Sequence, residues 1–199
     1  MAATETSHPV PPRLDVEERR RQLIAIGGEL FSRRSFDGIS IDEIADAAGI
    51  SKGLLYHYFP SKRHFYVATI SAAADRLVAA ATGGEAATSE DPLRAGIDAY
   101  LDYVEEHEQG YVMLMQGGIG SDGEVRAIVD ATRDRFVRRI LGGDDRGPAM
   151  ALAVRGWIGF VEGATLHWLE DRAVGRETLR ELFAGSLAAA VAQAERLER

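Results

Sequence analysis

Lys52, Tyr56, His57, Lys62 and Arg63 lie within residues 51–66, a stretch holding three lysines or arginines, two histidines and neither aspartate nor glutamate. Cations, hydroxyls and rings at that density suit a surface that faces a polyanion. The rest of the chain sharpens the contrast. Net charge is −8 over 199 residues. Residues 1–70 carry nine basic and nine acidic side chains, whereas residues 71–199 carry 14 and 22, so the whole excess lies outside the basic stretch.

Other arrangements fail the tests of their chemistry. His107 sits among Glu105, Glu106 and Glu108. It has no second histidine one helical turn away, so a solvated helix face is expected and no metal site. Gly118-Ile119-Gly120-Ser121-Asp122-Gly123 fits the spacing of a dinucleotide loop, but such a loop needs a parallel sheet around it, and no run of strands is evident. Ser121 and Ser186 lack the glycines of a nucleophile elbow. Cysteine is absent, which excludes disulfides and thiolate chemistry. No catalytic residue and no cofactor is nominated. The alternative is a nucleotide- or small-molecule-binding helical protein or enzyme built on the 118–123 glycine loop. It would bind a nucleotide and ignore duplex DNA.

The basic stretch needs elements to hold it. Residues 1–13, with Pro9, Pro11 and Pro12, are expected to form a disordered tail. Asp15 opens a helix with Glu18 as its capping-box partner, and Leu23, Ile26, Leu30 and Phe31 follow at helical spacing until Phe36-Asp37-Gly38. Ser40-Ile41-Asp42-Glu43 is a second capping box opening a short helix to Ala48. Gly49 stops that helix, Ser51 caps another, and Phe59-Pro60-Ser61 ends it and caps the next. Connections are expected at 82–90, 117–123, 142–148 and 171–175. With β-branched alternation scarce, the fold class is all-α, about nine helices, divided into a three-helix unit over 14–66 and a larger helical body over 67–199.

Between Ile41 and Tyr58 the spacing is more specific. Two short helices crossing steeply need a small residue at the contact (Ala45), a permissive turn residue (Gly49) and a buried anchor from the second helix (Leu55), with Ile44 beneath. This is a helix-turn-helix, whose second helix enters the major groove of DNA. Its exposed positions would be Lys52, Gly53, Leu54, Tyr56 and His57, with Tyr58 close by. Ser51 opens this helix and is a DNA-binding candidate with it, and Lys62 and Ser40, at helix starts, would clamp phosphates.

Ser40-Ile41-Asp42-Glu43-Ile44-Ala45, Ala48-Gly49-Ile50-Ser51-Lys52-Gly53 and Leu55-Tyr56-His57-Tyr58-Phe59-Pro60-Ser61-Lys62 together resemble the DNA-binding signature of the tetracycline-repressor (TetR) family. The likeness covers about the first third of the chain. It implies a homodimer on a palindromic operator, regulating transcription, most simply as a repressor released by a small-molecule effector bound in the helical body. Leu54 departs from the small hydroxyl residue common in the family, and Arg63-His64 from its usual acidic residue.

Tyr100, Tyr103, Tyr111, Met115, Phe136 and Trp157 are candidate pocket residues, and the few polar groups among them favour a hydrophobic effector. The last two helices carry apolar stripes. The family likeness makes them a dimer interface, for which Trp168, Phe183, Leu187, Val191 and Ala194 are the candidates. No run approaches the ~18 apolar residues of a membrane span and no secretory signal is evident, so a cytoplasmic protein without membrane partners is expected.

Overall fold

A computed structural model describes residues 15–84, 88–117, 123–143 and 146–198. The tail at 1–13 and residues 118–122 of the glycine loop lie outside them. Among the described residues there are nine bounded helices and no strand: α1 (Val16–Arg33), α2 (Ile41–Ala47), α3 (Lys52–Tyr58), α4 (Lys62–Thr82), α5 (Pro92–Glu106), α6 (Glu108–Gly117), α7 (Gly123–Leu141), α8 (Pro148–Asp171) and α9 (Arg176–Leu197). This is the all-α architecture expected from the sequence.

Local chemistry starts the N-terminal helices. Ser40 and Glu43 form the reciprocal capping box, the Ser40 hydroxyl accepting from the Glu43 N–H at 3.1 Å and Glu43 Oε2 accepting from the Ser40 N–H at 2.7 Å. Ser51 and Ser61 cap α3 and α4 by accepting from the N–H groups of Leu54 and His64. At α1 the box does not form. Asp15 accepts instead from the adjacent Val16 N–H at 2.7 Å, and Glu18 pairs with Arg21. Arg21 lies one turn along the same helix, which draws the Glu18 carboxylate away from the helix start.

Helices α1 to α3 and the start of α4 enclose one core, with Leu23, Phe31, Ile39, Ile44, Leu55, Phe59 and Phe65 buried. Here α1 and α4 approach closely at Gly27, where an added Cβ would lie 2.6 Å from both Phe65 Cζ and Thr69 Oγ1. Helix α4 continues out of this core and packs against α5 and α7, while α9 packs on α8 and α5. Met113 of α6 touches both the N-terminal core and the large core of the body.

Helix α8 differs from the sequence expectation. It is long and apolar enough, by length and composition, to cross a membrane. Only part of that apolar stretch is buried in the protomer. Arg155 and Glu162 interrupt it, pairing with Asp130 and Arg133 of α7 at 3.1 and 2.8 Å. Met150, Val154, Ile158, Val161, Thr165 and Trp168 are buried within the protomer.

Candidate nucleic-acid interface and internal cavity

The turn between α2 and α3 sets the interface. Gly49 takes φ +62°, a left-handed value that favours glycine, and the next amide, of Ile50, donates to Ala45 O at 3.0 Å. Chain direction then reverses so that Leu55 drops into the core beside Ile44 and Ala45. The opposite side of α3 is left to solvent: Lys52, Gly53, Leu54, Tyr56 and His57 are exposed, while Tyr58 is half-buried against the core. Lys52 Nζ sits 2.9 Å from Asp42 Oδ2, and this bond raises its pKa. Lys62 lies at the first position of α4 with Nζ 4.2 Å from the centre of the Phe36 ring, so its stem is packed and its charge is placed.

Two acidic groups of α2 are paired. Asp42 is paired with Lys52, and Glu43 is 2.7 Å from Arg34 Nη1. The Arg34 hydrogen bond, with those from Ser40, holds the Glu43 carboxyl down to about 2. It remains an anion paired with its partners. Gly53 is not demanded by the protein's own packing, since an added Cβ would meet nothing nearer than Ser51 Oγ at 4.0 Å. Glycine in a helix costs about 1 kcal/mol against alanine. That cost is explained if a partner must come close to the α3 backbone.

In the body, α4, α5, α6, α7, α8 and α9 border a cavity of about 500 Å³, within the ~300–1,000 Å³ of small-molecule sites. Its walls are largely apolar, with Leu77, Ile97, Met115, Val129, Phe136 and Trp157 among them. The polar groups on its deep side are already satisfied. The Tyr100 hydroxyl is 2.6 Å from that of Tyr111 and 3.1 Å from Thr165 Oγ1, and burial pushes both phenols up in pKa. Glu162 accepts from Arg133 Nε and Nη2. Two exposed arginines, Arg139 and Arg146, also border the cavity.

Residues 23–69 match the family described as bacterial regulatory proteins, tetR family, and residues 90–190 match the tetracyclin repressor-like C-terminal domain. The HTH-type transcriptional activator FasR of Mycolicibacterium smegmatis is 31% identical over 85% of this chain and 81% of its own length. The chain belongs to the tetR family. A tetR-family regulator from Streptomyces coelicolor has the same fold with TM-score 0.77 and 38% identity, over 92% of this chain and 85% of its own. The FadR structure from Bacillus subtilis, solved with stearoyl-CoA, matches over 86% of this chain and 97% of its own, with TM-score 0.66 and 15% identity.

Against this tetR-family frame, the six pocket candidates divide. Tyr100, Met115, Phe136 and Trp157 border the cavity. Tyr103 and Tyr111 do not: the Tyr103 hydroxyl donates to Ala73 O on α4 at 3.1 Å, and Tyr111 stands behind Tyr100. Sequence reasoning missed Leu77, Ala81 and Thr82 on α4 and the two arginines at the rim. The dimer candidates need correction. Trp168, Phe183, Leu187 and Ala194 are buried inside the protomer, and Val191 is half-buried and borders the cavity. They serve the protomer's own core because the apolar stripe of each helix is phased inward. The surface left open on α8 and α9 is a different one, with Leu152 at 74%, Phe160 at 41% and Leu182 at 51% exposure. His107 stacks on Tyr103 at 4.4 Å, and its neighbours Glu105 and Glu108 are paired with Arg172. Of the glycine loop, Gly123 opens α7, and residues 118–122 lie outside the described residues.

Proposed function

We propose that this tetR-family protein is a ligand-responsive transcriptional repressor acting in the cytoplasm. As a homodimer it would hold a palindromic operator and release it when an effector fills the cavity. The observation that carries this reading is the reach of α4. Phe65 and Thr69 at one end are locked on α1, while Leu77, Ala81 and Thr82 at the other border the cavity. Two α3 helices must sit about one DNA turn, ~34 Å, apart to enter successive major grooves. An effector that shifts α4 changes this separation. By linkage, DNA and effector then weaken each other by the same factor, typically ~1–3 kcal/mol.

The chemistry of the cavity favours an amphiphile, an apolar chain against the walls and an anionic end at Arg139 and Arg146. Stearoyl-CoA, held by the B. subtilis FadR, is of this class. Dimerisation would use the open face of α8 and α9. There Gly156, Gly159 and Gly163 would meet nothing within 4 Å if given a Cβ, so helices can approach closely beside Leu152, Phe160 and Leu182. Leu182→Glu should then give monomers by light scattering, and a dimer that persists would place the interface elsewhere.

A second reading, activation, is favoured by one observation: a relative that spans most of the chain is named an activator. A reporter with the operator placed over or upstream of a promoter separates the two. DNA binding itself is tested by anisotropy with duplexes selected from genomic DNA. Specific binding that weakens steeply with salt, as for ~6–10 neutralised phosphates, supports the reading. Lys62→Ala and Tyr56→Ala should weaken it without much change in Tm. No specific duplex for ligand-stripped protein would overturn it.

A further inference from the structure

The first turn of α3 presents an apolar group where a reader of base edges is expected. This inference rests on the assignment of α3 as the DNA-reading helix. Leu54 is 39% exposed while its neighbour Leu55 is buried, so part of its isobutyl group is left to solvent. Its amide donates to the Ser51 hydroxyl at 3.2 Å, which fixes it in the first turn. Gly53, just before it, is bare backbone that the protein's own packing does not require. Lys52, one residue earlier, has its ammonium held by Asp42 at 2.9 Å. The turn whose residues contact base edges in a helix-turn-helix therefore offers close approach and an apolar side chain.

In the major groove one base alone carries an apolar group at its edge, the C5 methyl of thymine. Against a purine, an isobutyl group would strip water from N7 without replacing the hydrogen bond. Cytosine offers no methyl. We infer that Leu54 reads thymine, burying one thymine methyl at one position of each half-site.

The test uses the full chain and operator duplexes selected from a random library. Each symmetric pair of thymines is replaced by deoxyuridine, which keeps the base pairing and removes only the methyls. The expected result is one position per half-site at which affinity falls about fourfold per methyl, or about fifteenfold for the pair, the scale of one buried carbon. Leu54→Ala should bind more weakly, keep its Tm, and no longer respond to deoxyuridine there. Tyr56→Ala should retain the response. Deoxyuridine silent at every position, or a response that survives in Leu54→Ala, would overturn the inference while leaving α3 as the reading helix. Failure to select any duplex would overturn the assignment of α3 and this inference with it.

Discussion

The two ends of α4 are packed to different standards. At its N-terminal end, α1 comes so near that Gly27 has no room for a methyl group, with Phe65 and Thr69 2.6 Å from where it would be. At its C-terminal end, Leu77, Ala81 and Thr82 border about 500 Å³ of cavity. A close-packed joint has low compressibility and passes a displacement on, whereas a wall beside a void can move when the void is filled. Helix α4 thus has a fixed grip on the N-terminal unit and a loose seat beside the cavity. Met113, on α6 and in contact with both cores, gives the same two regions a second link.

The largest expected effect is at the tight end. Phe65→Ala removes a fully buried ring from the N-terminal core and should cost ~3–5 kcal/mol, read as a large fall in Tm and loss of DNA binding. At the loose end the sign should reverse. Val129 is buried and borders the cavity. Val129→Phe, by filling space, should leave stability unchanged or raise it by up to ~2 kcal/mol, while effector affinity falls at least about tenfold, ~1.4 kcal/mol. A Tm drop like that of Phe65→Ala would show both ends to be equally packed.

The smallest effect concerns pH and belongs to the reading unit alone. Glu43 is lowered from 4.5 to about 2 by Arg34 and Ser40. A carboxyl depressed in the folded state contributes stability that is fully present above pH 4.5 and lost as pH falls toward 2. Between those values the Tm of the native protein should fall more steeply than that of Glu43→Gln, while the two curves run parallel at higher pH. Matching slopes in the acid window would remove Glu43 from the account of α2.

Legibility in the sequence followed the range of the interactions. The α2–turn–α3 unit could be read because its signals are local. Ser40 with Glu43, Gly49 in its turn, and Ser51 three residues before the amide it accepts from all act within a few residues. The dimer candidates were misplaced because α8 and α9 each carry two apolar faces, and periodicity does not say which one the protomer buries. Gly156, Gly159 and Gly163, one turn apart, were the available signal for the open face. The cavity arises where six helices fail to fill the space between them, so its rim arginines and its α4 wall carry no mark in the sequence. Tyr103 looked like a pocket residue but uses its hydroxyl to tie α5 to α4.

The most direct test is reciprocal titration. Operator affinity would be measured by anisotropy at rising stearoyl-CoA, and stearoyl-CoA affinity in turn at rising operator, with Val129→Phe as the control whose cavity is filled. The expected result is that each ligand weakens the other by the same factor, and that in Val129→Phe at least about tenfold more acyl-CoA is needed to displace DNA. Operator affinity that stays constant while bound stearoyl-CoA reaches saturation would contradict the coupling through α4.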